Sequence, residues 1–225
     1  DMIKNISNLG DAALYCDFGQ EVDKDINTKV IRYFKTIQKE GIHGINNLTP
    51  SYNKLIVSFD LKKTNFNELK KIIENLEVID SKILKSNKIE IPVCCDETFA
   101  LDIERLKEKL KIDRNKIYEN FFSKEFFCYM TGFIAGMPFL GDLDENMRAK
   151  RLETPRVKVP KGSVALTEQF ANIYTFESPG GWNILGNTPL NIFDSSKEDK
   201  PNLINPGDTV IFREITLDQY KNYNE

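Results

Sequence analysis

Glycine and proline divide the second half of this chain into short segments. They cluster at Gly136-Met137-Pro138, Pro155, Pro160, Pro179-Gly180-Gly181, Pro201 and Pro206-Gly207. Proline removes a backbone donor and glycine ends regular elements, so what lies between must be brief. Residues 126–133, 163–176, 188–194 and 208–215 read as strands. Many short strands with Gly/Pro turns predict a closed or sandwiched β domain.

The first half has a different texture. Residues 13–19 read as a strand closing on a glycine. Residues 23–40 read as a helix, because Ile26, Val30, Phe34 and Ile37 share one face and Gly41 follows as a stop. Residues 41–48 and 52–60 read as strands around Thr49-Pro50-Ser51, with Leu55, Val57 and Phe59 alternating with Ile56, Ser58 and Asp60. Residues 64–76 read as a second helix, capped by Thr64 or Asn65, and a strand follows at 89–95. Two short helices are expected at 101–110 and 115–122. The order strand, helix, strand, strand, helix, strand predicts a ferredoxin-like α/β sandwich. The expectation is an α+β chain, with a sandwich over 1–87 and a β-barrel domain over 88–225.

Composition narrows the chemistry. Lys and Arg total 31 against 34 Asp and Glu, a net charge of -3, which argues against broad nucleic-acid binding. No apolar run is long enough to span a bilayer, and Asp1-Met2-Ile3 shows no secretory pattern, so a cytoplasmic location is expected. His43 is the one histidine, which removes His-rich metal sites and paired-His mechanisms. Cys16, Cys94, Cys95 and Cys128 form no CxxC and read as reduced, buried thiols. A Cys nucleophile with His43 as base ranks below that reading.

Four segments could carry chemistry. In the first, Gly132, Gly136 and Gly141 permit tight turns or close ligand approach, but their spacing fits no nucleotide-binding motif. In the second, Arg156 and Lys158 lie two apart and would share a face of an extended segment, suited to a carboxylate or phosphate; a solvated surface strand explains them equally. In the third, Gly180-Gly181 can present backbone amides to an anion, and Trp182 either walls a pocket or plugs a barrel end. In the fourth, Asp208 reads as a turn-stabilising carboxylate.

Taken together these segments resemble one family. They run GFIAGMPFLGDLD at 132–144, TPRVKVPKGSVA at 154–165, SPGGWNILGNTP at 178–189 and PGDTVIF at 206–212. The family is that of the 5-oxoprolinase B subunit (PxpB), also described as allophanate hydrolase subunit 1-like, and includes the KipI-type inhibitor of a sporulation histidine kinase. The resemblance covers nearly the whole chain. It implies a cyclophilin-like barrel for the second domain. It also implies a heteromer with subunits C and A that opens 5-oxoproline to glutamate with ATP, with Mg, on this subunit or on its partner. In that setting Arg156 and Lys158 would be the catalytic cations. Gly136, Pro138, Ser163, Ser178, Gly180, Gly181, Trp182 and Asn187 would bind substrate or anion. Arg156→Ala is then expected to abolish activity with the fold intact.

The chain departs from the family pattern at polar positions. A family histidine corresponds to Phe121. The pattern A-G-R-Q-T-G-I-Y-P is TEQFANIYT at 167–175, so an Arg becomes Gln169 and a Gly becomes Glu168; the Arg of G-R-T-P becomes Asn187. These losses motivate a second reading, a KipI-type protein that inhibits a histidine kinase without catalysis. A stand-alone prolyl isomerase ranks third, because fold does not imply activity.

Overall fold

The computed structural model describes residues 2–224, and the chain divides into two units with the boundary between Lys85 and Ser86. The first contains β1 (Asn5–Asn8), β2 (Ala13–Asp17), α1 (Lys24–Glu40), β3 (Ile45–Pro50), β4 (Lys54–Phe59) and α2 (Phe66–Glu74). Its sheet has the order β1-β2-β4-β3 and is antiparallel throughout. The period-two pattern sends Leu14 and Cys16 of β2, and Leu55, Val57 and Phe59 of β4, to one buried side. Val30, Tyr33 and Ile37 of α1 and Leu69 and Ile73 of α2 join the same core. Helix α1 starts where Asp23 accepts from the N–H groups of Asp25 and Ile26 (2.9 and 3.0 Å) and stops at Gly41, which is left-handed at φ +57°.

The topology departs from the expected strand order. The edge position beside β2 is filled by the N-terminal β1, not by a strand following α2. The apolar strand after α2 joins the second unit instead.

That second unit contains β5 (Lys88–Cys94), α3 (Ile103–Leu110), α4 (Arg114–Phe122), β6 (Glu125–Thr131), β7 (Pro138–Gly141), β8 (Arg156–Val159), β9 (Ser163–Thr167), β10 (Phe170–Ile173), β11 (Ser178–Gly180), β12 (Asn183–Asn187), β13 (Thr209–Ile215) and α5 (Leu217–Lys221). Seven strands close a barrel in the order β10-β7-β6-β13-β5-β12-β9, with β5 and β13 parallel. Closure removes the unpaired strand edges that would otherwise invite aggregation. Ile91, Val93, Phe126, Cys128, Leu140, Val164, Leu166, Ala171, Ile173, Leu185, Val210 and Phe212 fill the core, and Leu106, Ile117 and Phe121 of the two helices complete it. Strands β8 and β11 form a separate pair.

Two strand assignments need correction. Residues 163–176 are not one strand: they break into β9 and β10 at Glu168, whose φ is +46°. Residues 188–194 are not a strand; the barrel uses 183–187 instead, and Phe193 makes an isolated bridge to Asn202. Glycine would hold the turn at Glu168 without the strain a Cβ brings to positive φ. Glu168→Gly should therefore raise unfolding stability by about 0.5–1 kcal/mol, read as a higher urea midpoint. An unchanged or lower midpoint would remove strain from the account of this turn.

Candidate functional site

The barrel's outer surface carries a second, smaller core. One row of paired residues crosses four strands: Phe139 of β7, Asn172 of β10, Ala165 of β9 and Ile184 of β12. The neighbours Ala171 and Ile173 belong to the barrel interior, so alternation puts Asn172 on the outer side. Met137, Val159 and Tyr174 pack over Ala165 and Ile184, with Ile134, Phe139 and Trp182 partly buried at the margin. The Trp182 ring meets Phe139 edge-on, centroids 5.7 Å apart.

Tyr174 is the hub of this layer. A Cβ on Gly180 would stand 2.2 Å from its hydroxyl, so only glycine lets β11 come this close. Burial pushes the phenol above its usual value, while the backbone N–H of Trp182, the Asn172 side chain and the Arg156 charge draw it partly back. Tyr174, Gly180, Trp182 and Arg156 are thus brought together.

Arg156 is not a free cation. Its guanidinium donates two hydrogen bonds, 2.8 and 2.7 Å, to the carboxylate of Asp102. Asp102 is 5% exposed and also accepts from the N–H of Ile184 at 2.8 Å. This aspartate immediately precedes α3 but makes no side-chain cap, because its oxygens are committed to Arg156 and β12. Next to it, Arg105 donates to Asn183, whose amide donates to the carbonyl oxygens of Lys150 and Leu166. Arg156→Ala is therefore expected to cost stability and not activity alone, since it strands a buried carboxylate.

The remaining sequence candidates separate. Lys158 does not join Arg156: it is 76% exposed and pairs with Glu177 at 3.4 Å. Gly136 has φ +69° and abuts Phe193 and Asn202. Pro138 is buried at the start of β7. The Ser163 hydroxyl donates to the Pro160 carbonyl, and the Gly181 carbonyl accepts from the Leu152 N–H. Asn187 donates to the Lys161 carbonyl and accepts from the Tyr220 hydroxyl. These five belong to turns and strands. Ser178 differs, because its hydroxyl oxygen is buried without a hydrogen-bond partner. Phe121, at the position of the family histidine, stacks on Phe212 inside the barrel, centroids 4.8 Å apart. Gln169 donates to Asp142, which also accepts from the Tyr129 hydroxyl. Asp208 accepts from the N–H groups of Asn87 and Asn205, the turn role read from sequence.

Sequence reasoning missed Asn172, Asp102 and the central position of Tyr174. Asp102 falls inside the helix expected at 101–110, where nothing marks it as the partner of Arg156. Asn172 had a usable signal, since it stands where the family pattern has glycine, inside an otherwise apolar strand.

Thiol chemistry is disfavoured. All four cysteines are free and buried. Burial pushes Cys16 and Cys95 up to about 12 and raises Cys128 as well. Their unfolded values lie near 8.5. A raised folded value leaves its stabilising contribution intact below the unfolded value and loses it as pH climbs toward the folded one. Stability should therefore fall between pH 9 and 12, by about 1.4 kcal/mol per thiol per pH unit. Guanidinium unfolding at pH 8 and pH 10 checks this, and equal midpoints would contradict it. Among the described residues, no three His, Cys, Asp or Glu side chains converge as a metal site. Among them too, no helix is long and apolar enough to cross a membrane.

Residues 4–204 match the family model described as carboxyltransferase domain, subdomain C and D. The 5-oxoprolinase B subunit of Bacillus subtilis (strain 168) is 29% identical over 232 residues, covering 98% of this chain and 96% of that protein. Its counterpart in Haemophilus influenzae is 30% identical over 213 residues, covering 92% and 96%. The crystal structure of TTHA0988 superposes with a TM-score of 0.82 at 27% identity over 90% of this chain, which spans 40% of that longer protein.

Proposed function

The chain belongs to the carboxyltransferase-domain family, subdomain C and D, of the 5-oxoprolinase B subunits and their allophanate hydrolase subunit 1-like relatives, and from that premise we propose that it is the B subunit of an ATP-dependent 5-oxoprolinase. The observation that carries this reading is the end-to-end match to the B subunits of two bacterial 5-oxoprolinases. It is supported by the way β8, β11 and β12, which hold two of the family motifs, gather on one outer face of the barrel around Tyr174. The barrel is read as cyclophilin-like and the complex as one with subunits A and C.

ATP is assigned to a partner subunit. Of the motif cations, Arg156 is committed to Asp102 and Lys158 pairs at the surface with Glu177, so the two do not converge as a phosphate cradle. No step through ATP is therefore routed over this chain; its part is to hold the small substrate. Partner contact fits Phe133 and Val157, the most exposed large apolar side chains among the described residues at 83% and 80%. Each flanks the Tyr174 layer, next to Ile134 and near Val159.

The test is co-purification with the candidate subunits A and C, followed by ATP hydrolysis with and without 5-oxoproline. Stimulation by 5-oxoproline is expected. A stable complex with no stimulation by any lactam or ureido acid would overturn the reading. The replacement of family polar residues by Phe121, Gln169 and Asn187 favours one alternative, a KipI-type inhibitor of a histidine kinase. Suppressed kinase autophosphorylation without complex formation would identify it.

A further inference from the structure

Asn172 is an anomaly within its own layer. Its side chain is fully buried, and neither its amide nitrogen nor its amide oxygen has a partner at hydrogen-bond geometry. Its paired neighbours Phe139 and Ala165 offer no polar group from their side chains, and the Tyr174 hydroxyl lies nearby without completing a bond to it. The Ser178 hydroxyl, across from Val159 in the same layer, is also buried and unmet. Buried polar groups are nearly always satisfied, and an unmet one costs free energy. Both ends of one carboxamide left open together match a ligand that presents a donor and an acceptor side by side.

A cyclic amide is such a ligand. Its ring holds the amide cis, so the N–H and the C=O point the same way. A carboxamide meets that edge with two parallel hydrogen bonds, its N–H₂ donating to the lactam carbonyl and its carbonyl accepting from the lactam N–H. A trans peptide cannot offer both groups on one edge. The half-buried Trp182 and Phe139 rings would flank such a flat ring on entry. We propose that Asn172 is the amide-reading residue of a binding site for a small lactam on the outer face of the barrel, with the Ser178 hydroxyl as a second polar contact. The proposal rests on the 5-oxoprolinase reading for its physiological ligand and deepens it by naming the residue that tells a lactam from other small molecules.

The experiment titrates 2-pyrrolidinone into the ¹⁵N-labelled chain and follows side-chain amide resonances. Saturable movement of the Asn172 N–H₂ signals is expected. N-methyl-2-pyrrolidinone, which lacks the N–H, should bind at least about tenfold more weakly, the loss of one well-placed hydrogen bond. Asn172→Leu should lose the binding and melt about 2–4 °C higher, because an unmet amide is replaced by an apolar group of similar size. Should that variant fail to fold, Asn172→Gly, the family residue, serves in its place. No binding by the wild-type chain, or equal binding by the variants, overturns the proposal. Turnover by the assembled complex separates the two claims. Turnover of 5-oxoproline with an unchanged KM in the Asn172 variants sinks this inference and spares the 5-oxoprolinase reading. Lactam binding at Asn172 without turnover does the reverse.

Discussion

Arg156→Ala should lower the unfolding stability of the barrel unit by about 3 kcal/mol. The variant leaves the Asp102 carboxylate buried, with the Ile184 N–H as its remaining donor among the described residues. Breaking one side of a buried ion pair costs about 3–5 kcal/mol, and the lower end applies because the Arg156 side chain is 28% exposed. Urea denaturation measures it. Arg156→Lys should fall between, since a point charge cannot reproduce the bidentate fork. Adding Asp102→Asn to Arg156→Ala should recover more than half of the loss, because the stranded charge is gone. A midpoint unchanged by Arg156→Ala would mean that the pair is not structural, and would return Arg156 to the role of a free anion receptor. The double variant is also the right background for activity measurements, since it separates lost charge from lost fold.

That pair illustrates which parts of the molecule were legible. The spacing of Arg156 and Lys158 suggested one cationic face, but alternation says nothing about which cation meets a carboxylate. Asp102 lies 54 residues away and reaches Arg156 only because α3 begins beside β12. Long-range partners of this kind leave no local signal. Elements set by periodicity were legible: α1 with its Asp23 cap and Gly41 stop, and β4 with Leu55, Val57 and Phe59 buried. The motif strands β11 and β12 were not, since Gly180 and Gly186 lie in them where glycine usually signals a turn, whereas the motif strand at 208–215 was read and is β13. Their reason is contact, with Tyr174 against the first and the Cys94 carbonyl against the second. Asn172 was hidden by its neighbours, because a polar residue in an apolar strand reads as an outward one until a second layer is found covering it.

The same reasoning decides what Phe121 means. Restoring the family's residue with Phe121→His should destabilise the barrel unit by about 3–4 kcal/mol at pH 8. The ring is 1% exposed and packed against Phe122, Phe126 and Phe212. The change trades a large apolar ring for a smaller one and buries imidazole nitrogens among aromatic side chains. Such an imidazole has its folded pKa depressed by burial, below the unfolded value of about 6.5. A depressed base loses stability as pH falls through the unfolded value, so the deficit should widen from pH 8 to pH 5. Unfolding at both values checks the sign. A variant as stable as the wild type, with a pH-independent midpoint, would mean that a polar partner is available at this position, and the missing histidine would then count as lost machinery. With the expected result, this barrel is built around phenylalanine where the family pattern has histidine. The lactam contact proposed at Asn172 then stands apart from this position, since Phe121 belongs to the main barrel core and Asn172 to the row shared with Phe139 and Ala165.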